Sequence, residues 1–163
     1  MSLFANFFSA DGFLGTTAKF YMDVDIVFIV ALPFLVGFSL FFALKDEYDL
    51  YILSQKMLFS LTFGALILFI YGIYRNAIEI DMAKSFLSSA MIFNILVFQI
   101  FISVVTMSAW FSVIQISLSD YKRRVLPGMY SRNHENAVKR VFSLILLTTG
   151  SSIAVYMILF FKI

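Results

Sequence analysis

The chain has 163 residues, of which 61% are apolar and only 13% charged, with 21 Phe and 8 Tyr. Soluble domains run at about 45–50% apolar, and so short a chain has too much surface to hide the excess from water, so the composition is that of an integral membrane protein. The absence of Cys excludes a disulfide scaffold and Cys-ligated metal or haem, and the single His excludes multi-His zinc sites and bis-His haem ligation within one subunit.

Residues 1–24 lack a basic leading region, and Asp11 and Gly12 interrupt their apolar character, so no cleavable signal peptide is expected. Phe4, Phe7, Phe8, Phe13 and Leu14 suit either an interfacial helix in the headgroup layer or an apolar tail leaning on the bundle. A spanning helix needs about 20 mostly apolar residues. The first such run covers residues 25–44, where Pro33, with Gly37 a turn later, predicts a kink. The second covers 57–74. The third lies within the uncharged stretch Ser85–Ser119, about 91–115, and is long enough to tilt or to continue past the headgroups. A basic loop from Asp120 to Arg140 leads to the fourth, 141–161. The runs are continuous, not alternating, which argues against a barrel. The expectation is one all-α transmembrane domain over 1–163, a four-helix bundle.

Positive residues are retained on the cytoplasmic side. With four spans, one side carries Lys19, Arg75, Lys84 and Lys162; the other carries Lys45, Lys56, Lys122, Arg123, Arg124, Arg132, Lys139 and Arg140. The second set is expected inside, with both termini outside, in a membrane such as the bacterial inner membrane.

Polar groups buried in lipid are costly and normally face other helices. Gln99, Ser103, Thr106 and Trp110 recur at i, i+4, i+7 and i+11, one face of the third span. That face is either a cofactor wall or partner-facing site, or interhelical hydrogen bonding. The small pairs Ser39/Ala43, Ser60/Gly64 and Gly150/Ala154 predict close helix packing. Asp23, Asp25, Glu79 and Asp81 form an acidic outer patch, which either greets a basic electron carrier or a cation, or sits solvated among the headgroups. Lys122, Arg123 and Arg124 are short and juxtamembrane, suited to anionic lipid and not to nucleic acid. His134, beside Glu135 in the same loop, is a surface group or a single ligand. The eight Met are scattered and preorganise no Cu(I) site. No phosphate loop, His–Ser or His–Cys pairing or hydrolytic motif is present, so no enzymatic activity is expected.

Five fragments carry a resemblance. They are Gly12-Phe13-Leu14-Gly15-Thr16 with Asp23; Tyr48-Asp49-Leu50 with Gln55; Glu79-Ile80-Asp81-Met82; Thr106 with Trp110; and Pro127-Gly128 with Ser131 and His134. In order and spacing they resemble the CtaM/YozB family of small four-helix membrane proteins. The resemblance implies a role around haem–copper terminal oxidases, as a maturation factor or an associated subunit. It also implies three places where the family carries His able to bind haem or copper. Here these are Tyr51, Gln99 and His134. Tyr and Gln are weak ligands for haem iron or Cu(I). The expectation is therefore a non-catalytic accessory or assembly subunit without a cofactor of its own, bound to larger membrane subunits and lipid. The alternatives are a haem- or copper-handling maturation factor with His134 as one ligand, or a small transporter or quinone-binding subunit using Gln99 and Trp110.

Overall fold

A computed structural model describes residues 10–76, 88–123 and 131–161. Among the described residues there are four helices: α1 (Phe20–Leu44), α2 (Tyr48–Asn76), α3 (Ser89–Lys122) and α4 (Ser131–Phe160). All four are long and apolar enough to cross a membrane. Each packs on its neighbour in sequence, and α4 closes the ring against α1, so α1 and α3 stand diagonally. The protein is an all-helical membrane bundle. The starts of α1 and α3 and the ends of α2 and α4 share one end, the terminal end; the α1–α2 turn marks the opposite, loop end.

Every helix exceeds its hydrophobic run. α2 begins at Tyr48, well before residue 57, and its polar first turns meet α1 and α3. Gln55 donates to Ser39 at 3.1 Å, and Ser39 and Ser54 share a hydrogen bond. α3, at 34 residues, is about 51 Å long against a hydrocarbon core of about 30 Å. Its start is capped by Ser88, whose Oγ accepts from Met91 N–H at 3.3 Å.

Pro33 lies inside α1. It has no N–H for the carbonyl four residues earlier, that of Ile29. Thr149 of α4 donates to this freed oxygen at 3.3 Å, so the proline fixes a helix–helix contact.

Leu32, Val36, Met107, Trp110, Val113, Ile114, Val141 and Ile145 form a buried cluster that runs from the middle of the bundle toward the loop end. Trp110, 1% exposed, donates to Gln55 Oε1 at 2.6 Å and takes the Phe59 ring edge-on at 5.7 Å. Outward faces are apolar: Phe34, Phe38 and Phe41 on α1, and Phe93, Phe98 and Phe101 on α3.

One expectation needs correction. Ser60, Gly64, Gly150 and Ala154 do not mediate packing within the chain: Ser60, Gly150 and Ala154 are exposed, and a Cβ on either Gly would meet open space. Of the three small pairs, only Ser39 is buried between helices. Of the two alternatives for the leading segment, residues 10–19 follow the one that leans on the bundle and not the interfacial helix. They form a loop closed by an Asp11–Lys19 bridge and laid on the bundle. Phe4, Phe7 and Phe8 lie outside the described residues.

Candidate functional site

At the terminal end, the 10–19 loop is organised around Asp23, whose side chain is fully buried. Its Oδ2 accepts the backbone N–H groups of Phe13 at 2.6 Å and Leu14 at 2.7 Å. Its Oδ1 accepts from the Tyr156 hydroxyl of α4, which also bonds Thr16 Oγ1 at 2.8 Å. Backbone N–H groups converging on one carboxylate oxygen form an anion-holding nest. The loop can make it because Gly15 takes a left-handed φ of 72° and Gly12 lies where a Cβ would be 2.4 Å from Asp23 Oδ2. Thr17 then ties the loop to the end of α4, its N–H reaching Phe160 O at 3.1 Å.

Below this staple a cavity of about 70 Å³ opens between all four helices. Its polar lining includes Asp25 of α1; Gln99, Ser103 and Thr106 of α3; and Thr148, Thr149 and Ser152 of α4. Gln99, 3% exposed, donates through Nε2 to Ser152 Oγ at 2.7 Å, while Thr106 and Thr148 share a hydrogen bond of 2.7 Å. The polar stripe of α3 thus faces inward, bonding α4 and, through Trp110, α2. Two oxygens in this region, Asp25 Oδ1 and Gln99 Oε1, are buried and accept no hydrogen bond from the protein.

At the loop end, His134 Nε2 lies 3.3 Å from Ser117 Oγ, and the buried Tyr51 hydroxyl reaches the same serine. His134 Nδ1 is buried without a protein partner, with the Asp120 carboxylate nearby. His134 therefore begins α4 packed against α3 rather than standing in an open loop.

The residues singled out by sequence thus fall into separate places. Asp23 and Asp25 form no common outer patch, since one anchors the loop and the other lines the cavity; Glu79 and Asp81 lie outside the described residues. Tyr51 and His134 meet at Ser117, but Gln99 is eighteen residues away along α3, about 27 Å. Among the described residues no three His, Cys, Asp or Glu side chains gather as a metal site.

Sequence reasoning missed Tyr156, Ser152, Thr149 and Thr148. The polar run 148–152 inside an apolar span was the available signal, as was the carbonyl that Pro33 must leave open. Comparison with protein-family models, curated proteins and solved structures finds no match.

Proposed function

We propose that the chain is a non-catalytic accessory or assembly subunit of a larger respiratory membrane complex, of the haem–copper terminal oxidase type that its sequence fragments resemble. It sits in a bacterial cytoplasmic membrane with both termini outside and the basic loop end in the cytoplasm. The carrying observation is the separation of the three ligand positions that the resemblance implies. Tyr51 and His134 share one end of α3, and Gln99 is held to Ser152 about 27 Å away. Three positions so arranged suit no single haem or copper ion. Polar groups that join helices within the chain, and phenylalanines that face outward, suit a scaffold that packs on a larger subunit.

The maturation-factor reading has one observation in its favour. Tyr51 and His134 converge on Ser117, and the buried Nδ1 of His134 is unpaired, a half-site that a partner's ligand would complete. Purification of the tagged protein from native membranes tests both readings. The accessory reading expects oxidase haem to co-purify, with the isolated chain colourless and copper-free. One equivalent of haem or copper on the isolated chain, lost in His134→Ala, overturns it and supports maturation.

A further inference from the structure

We propose that the cavity is a binding site for one small monovalent cation, held by Asp25 and Gln99. Thr149 Oγ1 on Ile29 O sets α4 against α1. Asp25 lies four residues before Ile29, and Ser152 three residues after Thr149. In antiparallel helices both steps lead toward the terminal end, by about 6 and 4.5 Å, so Asp25 and Ser152 stand at one level. Gln99 reaches Ser152 from α3 at 2.7 Å. The Asp25 carboxylate and the Gln99 amide therefore approach one level of the cavity from diagonal helices.

The orientation of the amide follows from its neighbours. Ser103 gives its proton to the Gln99 backbone carbonyl at 2.8 Å, so its oxygen can only accept, and Nε2 lies 3.5 Å from it. With Nε2 turned to Ser103 and Ser152, Oε1 is left as a buried acceptor without a protein donor, as is Asp25 Oδ1. Two orphaned oxygens, one belonging to a carboxylate, call for a ligand that is positive or donates hydrogen bonds, or both. No Lys, Arg or His lines the cavity among the described residues, so none of these supplies a counter-charge. A protonated Asp25, alone or beside a water molecule, would meet the same two oxygens without any cation, and it would give no saturable response to added cations.

Size and charge narrow the class. The cavity, about 70 Å³, is about half the ~150 Å³ that accommodates benzene in an apolar core, so the ligand is an ion of few atoms with little attendant water. One carboxylate balances one positive charge. A divalent ion would retain a net charge in the membrane and seek about six to eight oxygens. A quinone brings carbonyl acceptors to a wall whose orphaned atoms are themselves acceptors. Carboxylate, amide and hydroxyl oxygens suit ammonium, sodium or potassium alike.

Trp110, the only tryptophan in the chain, lines this cavity and reports on it directly. The purified protein in detergent is titrated with ammonium, sodium or potassium chloride against N-methylglucamine chloride at constant ionic strength, following Trp110 fluorescence and the unfolding midpoint. A saturable response to at least one small cation is expected, and the responding ion identifies the source. Asp25→Asn should weaken it at least tenfold and Gln99→Leu severalfold. Gln99→Glu, which adds a second carboxylate, should tighten monovalent binding or confer a response to calcium, and serves if Asp25→Asn does not fold. Equal responses in wild type and Asp25→Asn, no effect of Gln99→Glu, or a wild-type response no greater than to N-methylglucamine would each overturn the proposal.

Discussion

Replacing Asp23 with Ala removes the acceptor on which the terminal loop is organised. Three hydrogen bonds are lost, two from the backbone at 2.6 and 2.7 Å and one from Tyr156. A hydrogen bond to a charged group contributes about 1.5–3 kcal/mol, and each buried donor left unmet costs about 1–3 kcal/mol. The sum overstates the loss, because Phe13 and Leu14 are exposed enough for water to reach their N–H groups, and Tyr156 keeps Thr16. A net loss of about 3–5 kcal/mol follows, a large part of the roughly 5–15 kcal/mol that holds a typical domain folded. Asp23→Asn keeps one oxygen for the two N–H groups and turns its amide toward Tyr156 Oη, which can accept. Neutral bonds are about half as strong, so the expected loss is about 1–2 kcal/mol. Gly12→Ala, driven against Asp23 Oδ2 and the Ala18 carbonyl, should resemble Asp23→Ala. Unfolding in detergent gives the free energies, and limited proteolysis within residues 10–19 gives the state of the loop. If Asp23→Ala lies within about 0.5 kcal/mol of wild type, inside the spread of ordinary surface substitutions, and its loop is as protease-resistant, the anchor is not one.

Thr149→Val should destabilise by about 1–2 kcal/mol by stranding Ile29 O, but by less in a Pro33→Ala background, where the restored N–H takes that oxygen; equal losses in both backgrounds would show that the proline and threonine are uncoupled. Gly72→Ala would place a Cβ 2.2 Å from the buried Tyr21 ring, and a loss of about 1–3 kcal/mol is expected in the same unfolding assay. Thr106→Val breaks the bond to Thr148 and should cost about 0.6–2 kcal/mol; no loss on unfolding would mean that this pair adds nothing to the α3–α4 contact. Cys at Ser131 should react with an impermeant thiol reagent only after the membrane is opened, and labelling of intact cells would reverse the proposed orientation.

Four helices were legible because an apolar run longer than about 18 residues has few folded uses outside a membrane. Their ends were not. Tyr48 to Lys56 reads as a polar connection until Ser54 and Gln55 are seen to meet Ser39 across the α1–α2 contact. Likewise, residues 131–140 read as loop because their charges hide the helix that carries His134 to Ser117. The inward stripe of α3 was legible from its spacing, whereas its partners on α4 were not. Thr148, Thr149, Ser151 and Ser152 are clustered, so position alone does not tell which face turns inward. Asp23 and Asp25 were read together as boundary charges, because a carboxylate near a span's start normally sits in headgroup water. What removes Asp23 from water is a pair of N–H groups ten and nine residues earlier, and no periodicity carries such a contact.

The bundle divides along its axis, and the division follows from where polar groups were placed. In the loop half, Trp110 and Gln55 satisfy one another, and aliphatic side chains fill the space around them. In the terminal half, Asp25 and Gln99 occupy positions that aliphatic residues would otherwise fill, and the hydroxyls of α4 join the walls without closing the space between them. Such a hollow weakens a bundle, because lining atoms lose contacts they would have in a filled core. The staple of Asp23, Tyr156 and the 10–19 loop lies directly above it and ties α1 to α4 where the interior packing is thinnest. A Pro-freed carbonyl taken by Thr149 ties the same two helices at the level below. With cross-links at both levels, the α1–α4 wall keeps its shape around the cavity without depending on a filled core, as a preorganised binding site requires.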